Sequence, residues 1–268
     1  MVLGSARCPL LPEDAVHIWI ATTEDCQQPE LLKRYLAVLD EQERSRYERF
    51  RFERHRQGYL IAHGLLRFCL SHYGEQQPWE WRFVTNDYGR PEIFAEGGVP
   101  PLRFNLSHTD GLAACAVTRA ADVGVDVECV ARSGDLAAVG ELSFTAQELA
   151  QLDQLTGEAW RDRFFDLWTL KEAYAKARGM GLSLPLQQFA FGFDGALIQF
   201  ESLAQEESAG SGADWRFGLM SPGSGHRLAV AVRGSGPLVV QVSQVVPGSV
   251  VQPLELPLIG SRGVVRKG

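Results

Sequence analysis

The chain has 268 residues, 45% of them hydrophobic, with 33 acidic against 26 basic side chains and a net charge of −7. That length supports one large core or two small ones, and the acidic balance speaks against a bulk positive field for duplex nucleic acid, so nucleic acid is not an expected partner. Cys8, Cys26, Cys69, Cys115 and Cys129 have no C-x-x-C spacing and are odd in number, which speaks against a zinc cage or a disulfide framework. The start of the chain lacks a basic-then-apolar leader, and no apolar run approaches the roughly 20 residues that span a bilayer. The expectation is a reducing, cytoplasmic protein without a membrane partner.

In chain order, residues 17–21 read as a short strand, and 30–39 as a helix with Leu31, Leu32, Tyr35, Leu36 and Leu39 at helical spacing. Residues 57–73 form a second helix by the same periodicity, ended by Gly74. Residues 79–84 read as a strand that leads into the turn formers Asn86-Asp87-Tyr88-Gly89-Arg90-Pro91. Strands follow at 102–106, 113–118 and 123–128. Helices come next at 144–152, where Thr145-Ala146-Gln147-Glu148 has the form of a capping box, and at 161–178, stopped by Gly179. Late strands are expected at 189–193, 215–220 and 227–232. Residues 205–214, rich in Ser, Gly and Ala, read as a hairpin loop or mobile connection. The tail after Pro247 has little periodicity and is expected to wander over the surface or fray. Local strand runs beside separate helices argue for an α+β fold.

Gly124-Val125-Asp126-Val127-Glu128 puts two carboxylates two residues apart in an apolar strand, hence on one face, with both valines turned to the core. Alone, D-x-E in a strand is most often a wet face. Trp168, Glu172 and Lys176 follow at four-residue spacing on one helical face, while Lys171 and Tyr174 lie on another stripe. Alone, Glu172 and Lys176 are an ordinary surface pair that contributes about 0.2–0.5 kcal/mol. Taken together, Asp126, Glu128 and Glu172 with a supporting lysine describe a divalent cation holding a phosphate. Mg²⁺ suits such oxygen ligands, and so does Mn²⁺.

Asn105-Leu106-Ser107-His108 adds a hydroxyl and an imidazole for further phosphate contact. Adjacent residues in extended chain diverge, so Ser107 and His108 are poorly placed as nucleophile and base, and G-x-S-x-G is missing. Arg44, Arg46, Arg49, Arg51, Arg54 and Arg56 form a local basic run in an acidic protein. Arginine forks match phosphate oxygens, although a solvated face is the usual meaning of such a run.

These segments, in this order, resemble the 4′-phosphopantetheinyl transferases of the longer, monomeric type that activates surfactin synthetase. The motifs that carry the likeness are Asn86 to Pro91, Phe104 to His108, Gly124 to Glu128, Phe144-Thr145 with Glu148, Trp168 to Glu172, and Lys176 through Gly179 to Leu186. The resemblance implies a pseudo-twofold arrangement of two similar α+β halves, with coenzyme A in the cleft between them. The halves would be residues 1–121 and 122–246, followed by a tail at 247–268. It implies Asp126, Glu128 and Glu172 as ligands of Mg²⁺. Ser107, His108 and Lys176 would meet the phosphates of coenzyme A, and Arg90 and Lys171 would serve the cofactor or its cleft. Arg46 and Arg51 would hold the 3′-phosphate, although Glu43 stands where the family has a lysine. It implies transfer of phosphopantetheine to a serine of an apo acyl or peptidyl carrier protein docked near residues 144–152. Glu172, directly or through a water, would be the base, with Lys176 and His108 supporting catalysis. A different Mg²⁺-dependent nucleotide hydrolase and a silent binding protein are the rival readings.

Overall fold

The computed structural model describes residues 11–94, 101–203, 214–223 and 225–267. The expected loop at 205–214 falls outside them except for Asp214. Strand β1 (Ala15–Thr22) leads into helices α1 (Thr23–Cys26), α2 (Pro29–Val38), α3 (Glu41–Arg49) and α4 (Glu53–Leu70). A short hairpin, β2 (Phe83–Thr85) and β3 (Pro91–Ile93), precedes β4 (Leu102–Thr109), β5 (Leu112–Arg119) and β6 (Val123–Cys129). Helices α5 (Leu136–Ser143), α6 (Ala146–Leu152) and α7 (Gly157–Arg178) come next. The chain then forms β7 (Phe189–Asp194), β8 (Leu197–Ser202), β9 (Trp215–Met220), β10 (His226–Arg233) and β11 (Leu238–Val245). It closes with β12 (Val251–Pro253), β13 (Leu258–Gly260) and β14 (Val264–Arg266). The fold is mixed α+β.

Two sheets carry the architecture. In the first the order is β12-β11-β1-β5-β4, with β14 also paired to β11. In the second it is β6-β10-β9-β13-β8-β7. The layers follow from strand alternation. Trp19, Ala113, Cys115 and Val117 face α4. Val16, Ile18, Ile20, Ala114 and Ala116 face the second sheet, where Val123, Val125, Val127, Leu228 and Val230 meet them. Ala229 and Ala231, on the far face of β10, pack with Phe165, Leu170 and Tyr174 of α7. The order is therefore helix, sheet, sheet, helix.

Several expectations are corrected. Of the strand expected at 79–84, residues 79–80 turn and only 83–84 extend; Trp81 is buried and donates its indole N–H to Ser71 Oγ at 2.8 Å. The strand of Ser107 and His108 runs on to Thr109 instead of stopping at 106. β11, inside the expected second half, pairs in parallel with β1 of the first. The tail does not fray. Its β12 and β14 pair with β11, and its β13 inserts between β8 and β9 of the other sheet. Such short strands exist through pairing, not through their own periodicity. No helix among the described residues is long and apolar enough to cross a membrane.

Candidate active site

The candidate site lies where edge strand β4 of one sheet meets edge strand β6 of the other. β6 needs partners for the amides on its outer edge. Side chains of β4 provide them: Asn105 Oδ1 accepts from Val125 N at 2.9 Å, Ser107 Oγ from Val127 N at 3.3 Å and Thr109 Oγ1 from Cys129 N at 3.3 Å. On the other side α7 lies directly on β6. A Cβ at Gly124 would sit 2.0 Å from Ala173 O and 2.4 Å from Ala177 N, so only glycine allows this approach.

That approach brings the four-residue stripe of α7 onto the carboxylates of β6. Lys176 Nζ donates to Asp126 Oδ1 at 2.6 Å, to Ser107 Oγ at 2.9 Å and to Val125 O at 3.3 Å. Trp168 Nε1 donates to Glu128 Oε1 at 3.1 Å, which also takes Arg132 at 3.0 Å. Asp126 is buried, so the bland wet-face reading fails. Its Oδ2 is buried without a hydrogen-bond partner among the described residues. Burial first, then the charge of Asp126, raises the carboxyl of Glu128, against the pull of Arg132 and Trp168. Glu172 is raised by burial, then by Asp126, with Glu128 adding and Lys176 opposing.

An orphaned carboxylate oxygen beside two carboxyls raised by burial and by the charge of Asp126 fits a hard divalent cation, which takes oxygen donors. Among the described residues, no three His, Cys, Asp or Glu side chains are gathered as a finished cage. One oxygen of Asp126 is held by Lys176, and one of Glu128 by Trp168 and Arg132.

Two large cavities adjoin the seam. One, of about 1110 Å³, is lined by Arg54, His55, His108, Glu128 and Arg132 among others. The second, of about 1090 Å³, is lined by Ser45, Arg46, Arg49, Tyr59, His63 and His108 among others. His108 borders both. Its ring still reaches solvent, yet desolvation by the cleft walls, and then the charges of His63, Lys176, Arg46 and His55, hold its pKa down at about 4.

The sequence-predicted residues divide accordingly. Asp126, Glu128, Glu172 and Lys176 are brought together, and Arg46 and His108 line the neighbouring cavity. The Ser107 side chain is bonded within the seam. Its proton goes to Asp126 Oδ1 at 3.0 Å, and its two lone pairs take Lys176 and Val127 N. Arg51 lines neither large cavity and lies over the Phe52 ring. Arg90 is tied to Ala177 O at 2.8 Å and Glu92 at 2.7 Å, clasping the end of α7 beside Gly179. Lys171 is wholly buried, paired with Glu148 at 2.8 Å, and donates to Leu186 O and Phe189 O. It is a core residue, not a cofactor contact. Phe144, Glu148 and Leu152 are also buried, so these members of the expected docking segment face inward, while Leu142 just before them is exposed.

Some residues were missed. His55, Tyr59, His63 and Arg67 form a polar four-residue stripe on the apolar α4, and that signal was in the sequence. Arg67 is fully buried and bonds Asp40 at 2.9 Å and Glu43 at 2.8 Å. Burial pushes the Glu43 carboxyl up, but hydrogen bonds and charge from His63 and Arg67 outweigh it and hold it below the usual range. The acid at the family's lysine position thus has an internal role.

Comparison with known proteins gives the same family. The model of the 4′-phosphopantetheinyl transferase superfamily matches residues 122–231, and that of the 4′-phosphopantetheinyl transferase N-terminal region matches 26–120. The 4′-phosphopantetheinyl transferase HetI of Nostoc sp. is 36% identical over 177 residues, covering 65% of this chain and 72% of that protein. The putative 4′-phosphopantetheinyl transferase slr0495 of Synechocystis sp. is 30% identical over 179 residues, covering 67% and 70%. The 4′-phosphopantetheinyl transferase Sfp of Bacillus subtilis is 27% identical over 159 residues, covering 59% and 68%. With these matches and its seam of acids and lysine, the chain belongs to the 4′-phosphopantetheinyl transferase superfamily and is an enzyme of that type.

Proposed function

We propose that this enzyme moves 4′-phosphopantetheine from coenzyme A to a serine of an apo carrier protein, with Mg²⁺, and releases 3′,5′-adenosine diphosphate. The observation that carries the reading is the orphaned Asp126 Oδ2 beside the raised carboxyls of Glu128 and Glu172. Asp126, Glu128 and Glu172 would hold the cation. When bound, it supplies Lewis-acid stabilisation of the charge that grows on the pyrophosphate.

The remaining chemistry belongs to the chain. The serine oxygen attacks the phosphorus that bears pantetheine, and the bond from that phosphorus to the leaving nucleotide oxygen breaks. Glu172, directly or through a water, takes the serine proton. Lys176 keeps Asp126 oriented and offers positive charge to the departing oxygens. His108, at the junction of the two cavities, meets the phosphates. Arg46, with Arg49 and His63 beside it, forms the basic pocket for the 3′-phosphate. The two sheet-and-helix units, the first completed by β11, β12 and β14 from beyond residue 121, would be the two pseudo-twofold halves, working as a cytoplasmic monomer. The carrier would dock along α5 and α6, with the exposed Leu142 as an apolar contact.

The test is intact-protein mass spectrometry of apo carriers after incubation with the enzyme, coenzyme A and Mg²⁺, with an EDTA control. A gain of one phosphopantetheine that EDTA abolishes is the expected result. No gain on fatty acid, polyketide or nonribosomal peptide carriers would sink the reading.

A further inference from the structure

The bonds from Asn105, Ser107 and Thr109 to Val125, Val127 and Cys129 keep a constant offset of twenty residues. β4 and β6 are therefore aligned in parallel, but through side chains instead of a backbone ladder. The bland account is that β6 is an edge whose buried amides need acceptors. The placement of the three bonds says more. The middle one, at Ser107, belongs to the hydroxyl that also bonds Asp126 and Lys176. Asn105 holds the amide of Val125, whose own carbonyl accepts from Lys176. Thr109 holds the amide that follows Glu128. Every peptide unit so gripped carries or adjoins a group of the acidic site.

We propose that Asn105 and Thr109 are positioning residues that set the register of β6 against β4, and through it the placement of Asp126, Glu128 and Lys176 relative to the cofactor cleft. The inference rests on the transferase reading of that site. It has a kinetic consequence. Arg46, Arg49 and His63 come from α3 and α4, in the first half of the chain alone, so coenzyme A can be gripped whatever the register. The carboxylates come from the second half, so the register decides their alignment with what the first half holds. Loss of the seam then lowers kcat far more than it raises KM for coenzyme A.

The test uses the full chain. Thr109→Val keeps the β-branched shape and removes the acceptor, and Thr109→Ser keeps the acceptor. Thr109→Val is expected to speed amide hydrogen exchange at Cys129 and to lower kcat for carrier loading about tenfold, with KM for coenzyme A within about twofold of wild type. Thr109→Ser is expected to restore both. Asn105→Leu is expected to repeat the pattern at the Val125 amide, and serves as the second variant if Thr109→Val folds poorly. Faster exchange with unchanged kcat would overturn the proposal, because the seam would then hold the strands without positioning the site. Unchanged exchange would overturn it too. A wild-type chain that loads no carrier overturns the transferase reading and this one with it. An active wild type beside an unimpaired Thr109→Val overturns this one alone.

Discussion

Glu148 and Lys171 form a 2.8 Å ion pair in which both side chains are closed off from solvent. Glu148 also caps α6 through Thr145 N and accepts Phe191 N, so each of its oxygens is held. Burial draws the lysine pKa below its ordinary value, against the pull of Glu148. Lys171→Met leaves a buried carboxylate without its cation, and should cost about 3–5 kcal/mol of unfolding free energy in urea titration. Adding Glu148→Gln should recover part of that loss. Coenzyme A affinity of the folded protein should not change. A Lys171→Met protein of full stability that had lost coenzyme A binding would return Lys171 to the cofactor.

Glu172→Gln should lower carrier loading by more than about a hundredfold, since even residues behind a metal ligand commonly cost 10–100-fold. The same change should stabilise the cation-free fold. The carboxyls of Glu172 and Glu128 are raised above their ordinary 4.5. Their contribution is thus fully present below about that pH and is lost as pH rises through the raised value. Urea midpoints in EDTA should fall from pH 4.5 toward neutrality less steeply for Glu172→Gln than for wild type. Parallel slopes would remove Glu172 from the repulsive cluster.

His108 is neutral near pH 7, with its pKa held at about 4. Phosphates placed against it would raise that value and favour the imidazolium. Coenzyme A binding should therefore take up protons and strengthen as pH falls from 8 to 6. Calorimetry in buffers of different ionisation enthalpy reads the uptake, which His108→Ala should abolish. Equal uptake by the variant would place the titrating group elsewhere.

His17 joins the ends of the chain. Its Nε2 meets Ser243 Oγ at 2.9 Å and its Nδ1 meets Tyr73 OH at 2.5 Å. Burial, with smaller contributions from His72 and Lys267, lowers its pKa from 6.5 to about 3. Its contribution is present above pH 6.5 and is lost as pH falls toward 3, with about 2 kcal/mol gone by pH 5. Urea titrations at pH 7 and pH 5 should show this loss in wild type and a smaller one in His17→Gln. An equal loss in both would acquit His17.

What the sequence disclosed followed periodicity. Alternation put Asp126 and Glu128 on one face, and four-residue spacing put Trp168, Glu172 and Lys176 on another. The divergence of Ser107 from His108 was also legible, since the first faces β6 and the second the cavities. Partners across the fold were not legible. Spacing separates Lys171 from the stripe of Lys176, but only packing shows that the first is sealed against Glu148 while the second stays at the cleft. Arg90 and Ser107 have phosphate-binding chemistry, but the end of α7 and the Asp126 carboxylate claim them first. The strand expected at 79–84 begins only at Phe83, after a turn at 79–80 and the buried Trp81 with its bond to Ser71.

The tail strand β13 sits between β8 and β9, while β11, β12 and β14 complete the sheet begun by β1. Each sheet thus waits on residues from the far end of the chain. During synthesis from the amino end, neither sheet can close until the last strands have left the ribosome. Cutting the gene at the border of the two family matches would give two fragments, each missing strands that its sheet requires. The two halves are separable by family likeness but interlocked as objects, and only the whole chain can be expected to fold.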